Sequence, residues 1–193
     1  CNTASSLALD HIKLKFNLPI IGVIEPGVHS AIAVTKNNRI GVLGTQATIR
    51  SDAYGSKLQS INGQIDVVSQ ACPLFVPLAE EGWVSGDVPT SVARTYLEPI
   101  LMSNVDTVIL GCTHYPLLKP ILSHVLGSEV CLVDSGEATA TAVDSVLDEH
   151  YLGAEEKAGE IQCFVTDSPD SFEALAGRFV KTNISAITHI DIS

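Results

Sequence analysis

The chain has 193 residues, 46% of them hydrophobic, which is enough apolar material for one large or two small cores. Eleven basic residues against 22 acidic ones give a formal charge of -11, which repels phosphate backbones and anionic headgroups and so argues against nucleic-acid and membrane partners. No apolar run reaches the roughly 18 residues of a membrane span, and no basic stretch leading into an apolar core opens the chain, so a cytoplasmic protein is expected.

Cys1-Asn2-Thr3-Ala4-Ser5-Ser6 leads into Leu7, Leu9, Ile12, Leu14 and Phe16, whose spacing predicts an amphipathic helix beginning within a few residues of Cys1, because Asn2, Thr3 and Ser5 are N-cap types. Residues 18–25 read as a short buried strand, Pro26-Gly27 as punctuation at a candidate domain crossing, and residues 28–35 as an alanine-rich helix. Residues 39–44 predict the next strand. Thr45-Gln46-Ala47-Thr48 then opens a helix to residue 60, with the hydroxyls of Thr45 and Thr48 spaced to face one pocket. Residues 65–71 predict a strand closed by Cys72-Pro73, residues 75–82 a loop or short helix carrying Glu80 and Glu81, and residues 88–102 a helix.

The stretch from Asp106 to Pro116 is the most informative. Val108, Ile109 and Leu110 are too continuously apolar for a half-exposed strand and predict a parallel strand covered on both faces. It stops at Gly111 and presents Cys112, Thr113 and His114 at its carboxyl end, where open α/β sheets place their ligands, and Pro116 suits the first turn of a following helix. Residues 129–134 predict a fourth strand, Asp134-Ser135-Gly136 a turn by default, and residues 138–150 a helix. Residues 152–160 read as a loop or linker, 161–166 as a strand, 168–179 as a helix with Pro169 at its start, and 184–192 as an alternating terminal strand. This alternation predicts an α/β fold with doubly wound, mainly parallel sheets.

Five cysteines, Cys1, Cys72, Cys112, Cys131 and Cys163, are odd in number and never in a CxxC pair, which indicates reduced thiols rather than a disulfide framework or a zinc site. By default each is a small buried hydrophobe, and Cys72, Cys131 and Cys163 keep that reading. Cys1-Asn2-Thr3 and Gly111-Cys112-Thr113-His114 differ, since each places a thiol before hydrogen-bonding side chains at an expected helix start. A helix N-terminus or a nearby cation can make such a thiol a usable base, and the same group can return the proton as an acid. Inverting a carbon stereocentre needs that pair of roles on opposite faces. His114 can share a proton with a reacting group, and one of Glu80 and Glu81 could face the cleft to polarise His114 or hold an ammonium group. No GxxxxGK[ST] and no GxGxxG follows a strand, so an anionic ligand would be held by backbone amides and by Thr, Ser and Asn, which suits a small carboxylate.

Residues 1–5 (CNTAS), Gly44-Thr45 with Thr48, residues 71–78 (ACPLFVPL) and residues 111–118 (GCTHYPLL) resemble, in that order, the motifs of glutamate racemase, and residues 132–136 (LVDSG) match a further stretch. The resemblance covers essentially the whole chain, and GCTHYPLL is its most specific part. It implies a cofactor-independent, metal-free racemase that interconverts L- and D-glutamate, the D form serving peptidoglycan. Cys1 and Cys112 match its two catalytic cysteines, one deprotonating the α-carbon while the other reprotonates the opposite face. His114 assists Cys112, and Glu80 matches the carboxylate that attends that thiol. Asn2, Thr3, Thr45, Thr48, Thr113 and His114 match substrate-contacting positions. The expected partners are glutamate as a small-molecule substrate and a second copy of the chain in a homodimer, with no nucleic acid and no membrane.

The implied fold is two α/β domains with the active site between them, residues 26–135 forming the second domain and residues 1–25 with 136–193 the remainder of the first. The family carries, before its first cysteine, an Asp-Ser pair and a Pro-Tyr-Gly-type loop that this sequence lacks. The first domain is therefore expected to be incomplete in this chain, with exposed sheet edges, and the 193 residues by themselves to be a poor racemase. Three other readings stay open at this stage: a cysteine hydrolase using Cys112 and His114, for which no third orienting group is identifiable, a racemase of aspartate or another amino acid, and an inactive glutamate-binding module.

Overall fold

The apolar run that ends at Gly111 becomes a strand with every residue buried, and the first part of the molecule is layered about it. In the computed structural model the described residues are 1–150, 152–153, 159–180 and 184–192. They fall into two units, Cys1–His150 and Tyr151–Ser193.

The first unit opens with helix α1 (Asn2–Lys15), for which Cys1 is the N-cap residue, and continues into α2 (Ile24–Val34). Strand β1 (Arg39–Gly44) is followed by α3 (Gln46–Arg50) and α4 (Ala53–Ile61). Next come β2 (Asp66–Ala71), α5 (Phe75–Glu80) and α6 (Asp87–Met102). Strand β3 (Thr107–Gly111) leads through a 3₁₀ turn (Tyr115–Leu118) into α7 (Lys119–Leu126), and β4 (Cys131–Asp134) into α8 (Ser135–Glu149).

The four strands form one parallel sheet in the order β2-β1-β3-β4, as the strand-helix alternation requires. Its two faces are both covered. Leu43, Val108 and Leu110 pack with Phe75, Leu97, Ile100, Tyr115 and Leu122 from α5, α6, the 3₁₀ turn and α7. Ile40, Val42, Ile109 and Val133 pack on the other side with Val28, Ala31, Tyr54 and Leu58 from α2 and α4. Successive residues of β3 thus feed opposite cores, which is why the run is apolar without a break.

Several expected elements differ. Residues 18–23 do not form a strand, because no described strand lies beside them to complete a ladder. Pro26-Gly27 does not punctuate the chain. Pro26 sits in the first turn of α2, where backbone N–H groups have no helical partner and a proline costs nothing. The helix expected over residues 45–60 is broken in two at Asp52, whose φ of 52° is a left-handed conformation that Asp tolerates better than most residues. Ser135-Gly136 are not a free turn but the start of α8, since Asp134 caps it by accepting from Gly136 N at 2.8 Å. Cys131 begins an edge strand and is exposed rather than buried, and Cys163 is half-buried.

The second unit, taken by itself, is a small βαβ arrangement. Strands β5 (Gln162–Val165) and β6 (Ala186–His189) pair in parallel, with α9 (Pro169–Phe179) between them in sequence. Ser168 caps α9 by accepting from Ser171 N, and Pro169 occupies the first position as its fixed φ favours. Residues 154–158 of the expected 152–160 linker lie outside the described residues.

The entry to β3 is held by Asp106. Its carboxylate accepts from Thr35 Oγ1, Lys36 N and Asn37 N, each at 2.7 Å, and from Thr107 Oγ1 at 2.8 Å. Burial alone would raise its pKa, but these donors together outweigh that and hold it below the ordinary carboxylate value. A lowered folded-state pKa means that the stabilisation is fully present above the unfolded value of about 3.9 and is lost as pH falls through the lower folded value. Asp106→Asn is therefore expected to lower stability at neutral pH and to flatten the acid limb of the stability-pH curve, as read by urea unfolding at a series of pH values. An unchanged acid limb would remove Asp106 from this role.

Candidate active site

The register of the sheet decides which side chains meet. Gly44 pairs with both Ala71 and Gly111, and Leu110 pairs with Asp134. The next residues along, Cys72, Thr45 and Cys112, therefore stand side by side past the carboxyl ends of the strands, with Ser135 after β4 level with Gly111. With β1 flanked by β2 and β3, the order reverses between β1 and β3, the position at which open α/β sheets form a ligand crevice. Gly111 is required there. A Cβ on it would lie 2.7 Å from the Leu43 carbonyl oxygen and 3.0 Å from the Tyr54 ring, so any other residue would force β1 and β3 apart.

Against this edge sits the start of α1. Thr3 Oγ1 lies 2.9 Å from Thr45 Oγ1 and 3.1 Å from Thr48 Oγ1, and Thr45 and Thr48 are 3.0 Å apart. Each hydroxyl has one proton and two acceptor sites, so the three can satisfy one another in a ring and release a donor to a ligand by rotating one O–H. Thr45 also caps α3 through Thr48 N, and Thr48 is buried. The pairing of Thr45 with Thr48 expected from their spacing is present, and Thr3 joins it from 42 residues away.

Asn2 is the buried residue of α1. Its amide nitrogen donates to Tyr54 OH at 2.7 Å and to Ser135 Oγ at 3.0 Å, and Ser135 Oγ donates to the Leu110 carbonyl at 2.9 Å. Tyr54 and Ser135 were not legible as site residues. A tyrosine in a helical stretch and a serine in an apparent turn carry no spacing signal, and only the fold makes them neighbours of Asn2.

Cys112 is buried, and its Sγ lies 3.9 Å from His114 Nδ1. His114 Nε2 lies 3.2 Å from Glu80 Oε1 at the end of α5. An ionised carboxylate only accepts, so in the neutral ring Nε2 carries the proton and the Nδ1 lone pair faces the thiol. Burial is the largest influence on Cys112 and pushes its thiol above the ordinary value. The backbone N–H groups of His114 and Tyr115 oppose that, while the Glu80 charge adds to it.

Thr113, expected among the contacts, is exposed beside Cys112. Glu81 is exposed, and it is Glu80 that meets His114. Glu80 also supplies the third orienting group whose absence weakened the hydrolase reading. Cys72 is fully buried, with Sγ 3.6 Å from the Gln70 carbonyl, and its desolvated thiol is pushed far up. Tyr115 packs edge-on against Phe75 and donates to the Cys72 carbonyl at 2.8 Å, tying the loop after β3 to the end of β2. Among the described residues no three His, Cys, Asp or Glu side chains converge to hold a metal ion. Within the same residues no helix is long and apolar enough to cross a membrane.

The sequence profile of the Asp/Glu/hydantoin racemase family matches residues 1–143. The glutamate racemase of Geobacter metallireducens is 45% identical over all of this chain and 72% of its own length. Among solved structures, a glutamate racemase isoform from Bacillus anthracis superposes with a TM-score of 0.94 at 35% identity, over all of this chain and 72% of that one. The glutamate racemase of Francisella tularensis, solved in complex with D-glutamate, superposes with a TM-score of 0.91 at 35% identity, over 99% of this chain and 71% of that one.

The environment of Cys112 is directly testable. Its alkylation by iodoacetamide is expected to lag behind that of exposed Cys131 and to keep rising with pH beyond about 8.5, where an ordinary thiol is half ionised. Peptide mapping by mass spectrometry at several pH values reads both sites, and a Cys112 profile matching that of Cys131 would contradict the burial argument.

Proposed function

The chain belongs to the glutamate racemases of the Asp/Glu/hydantoin racemase family, and on that footing we propose that Cys1 and Cys112 are the two acid-base groups of the reaction. The observation that carries this reading is the seating of the Cys1 helix start on the strand ends that present Cys112. Asn2 reaches Leu110 through Ser135, and Thr3 reaches the hydroxyls beside β1.

In one direction a thiolate at one cysteine takes the α-proton of glutamate. The C–H electron pair passes onto the α-carbon and its carboxylate, and the thiol of the other cysteine gives a proton to the opposite face. The two sulfurs finish with their protonation states exchanged, and the reverse reaction uses the same path backwards. His114, with its Nδ1 lone pair toward Sγ and Glu80 behind it, can accept the Cys112 proton and stabilise the resulting charge pair. The raised thiol pKa keeps the proton on Cys112 at neutral pH and makes His114 the group that turns it into a base.

The substrate contacts in this reading come from Asn2, Thr3, Thr45, Thr48, Thr113 and His114. Hydroxyl and backbone N–H donors hold the carboxylates, and the Asn2 amide oxygen, whose nitrogen is already committed, is left to accept from the ammonium group. The product D-glutamate would serve peptidoglycan, in the cytoplasm, and the active form would be a homodimer without cofactor.

Cys112→Ala and Cys1→Ala are each expected to lower racemisation of both enantiomers by at least about a thousandfold, the upper part of the range for losing a positioned acid-base group. Circular dichroism of L- or D-glutamate solutions over time measures this, and retained turnover in either variant would end the two-thiol reading. Covalent trapping by a glutamate ester without α-proton exchange would instead point to a hydrolase using Cys112, His114 and Glu80.

A further inference from the structure

We propose that Tyr54 and Ser135 are positioning residues that set the spacing of the two thiols, through a buried chain of hydrogen bonds running from Tyr54 to Asn2, Ser135 and the Leu110 carbonyl. This rests on the two-thiol reading and gives a role to residues which that reading leaves out.

Cys1 caps α1 and Asn2 is its first residue, so wherever Asn2 is held, Cys1 follows. Leu110 lies two residues before Cys112 in β3, so its carbonyl is locked to the position of the second thiol. Ser135 bridges them. A carbonyl only accepts, so Ser135 spends its single proton on Leu110 and must itself accept from Asn2. That fixes the amide nitrogen of Asn2, not its oxygen, toward Ser135, and the second N–H of the same group goes to Tyr54. The chain is therefore directional, and removing either end leaves a buried N–H or C=O without its partner.

Asn2, Tyr54 and Ser135 are 3%, 2% and 3% exposed, so bulk water does not substitute for a lost member. Desolvation, the largest influence on Tyr54, pushes its hydroxyl up to about 12, so the ring stays neutral and its oxygen remains available to Asn2 across the working pH range. Asn2 is moreover the buried residue of α1. Within Cys1–His150 the Asn2, Thr3 and Ser5 side chains anchor the Cys1 end of α1, Ser5 Oγ accepting from Val23 N at 3.4 Å.

The test uses Ser135→Ala and Tyr54→Phe in the protein expressed from its complete gene. Each is expected to lower kcat about 10- to 100-fold in both directions, the cost of displacing a reacting group by about an ångström, while KM for glutamate changes by less than about threefold. A loss of fold alone would not divide kcat from KM in this way. Cross-linking gives a second readout that does not need turnover. 1,3-Dichloroacetone joins the Cys1 and Cys112 sulfurs by two displacements of chloride, and peptide mapping is expected to show a lower yield of that cross-link in both variants. If Ser135→Ala fails to fold, Tyr54→Phe, which keeps the ring, carries the test. Wild-type kcat together with wild-type cross-link yield in the folded variants would overturn the proposal. Should the unaltered protein not racemise glutamate, the two-thiol reading falls, and the cross-link yields still decide whether Tyr54 and Ser135 set the spacing.

Discussion

The parallel pairing of β1 with β3, ending on the Gly44–Gly111 pair, is the constraint on which the rest of the structure depends. The strands approach so closely at Gly111 that a single added carbon would press on the Leu43 carbonyl. This tightness is what brings Thr45 and Cys112 level with each other, and β2 and β4, in register on either side, add Cys72 and Ser135 to the same edge. The two cores flanking the sheet hold the register by burying alternate residues of β3, so a slip of one residue would turn Ile109 into the wrong layer.

The site joins opposite electrostatic requirements. The chain carries a net charge of -11 and belongs to a family whose substrate is itself acidic, so long-range attraction does not explain binding. The crevice instead offers neutral donors already oriented by one another, the hydroxyls of Thr3, Thr45 and Thr48. Neutral hydroxyls can donate to a carboxylate without bringing a strong cation close to Cys112, whose thiol a cation would push toward the ionised form. Burial drives Cys112 the other way, toward the protonated form, beside the linked pair His114 and Glu80.

The reading of Cys112 and His114 shows how much a third group matters. From spacing alone, a histidine two residues from a cysteine has no identifiable third orienting group, which counts against a hydrolase. The fold brings Glu80, at the end of α5, to 3.2 Å from the far side of the imidazole. The connection alone would suit a nucleophile as well as an acid-base pair. Family membership, together with the second thiol segment seated across the crevice, favours the acid-base role.

The strongest elements were legible because their signals are local. The buried run at Val108–Leu110, the strand at residues 39–44 and the Thr45/Thr48 pair rest on periodicity, apolar content and capping chemistry, which neighbours in sequence decide. Residues 18–23 failed because a strand needs a partner that local pattern does not supply, and Pro26-Gly27 misled because proline is as welcome in a helix's first turn as in a break. By itself, then, the sequence determined the parallel α/β alternation, the identity of the two thiol motifs and the family they resemble. Only the tertiary structure decided that Asn2 is committed to Tyr54 and Ser135, that Thr3 completes a ring of hydroxyls and that Glu80 reaches the far side of the His114 ring. Those contacts join residues as many as 133 positions apart, and hydrogen bonds over such separations depend on strand register and helix seating rather than on any spacing written along the chain.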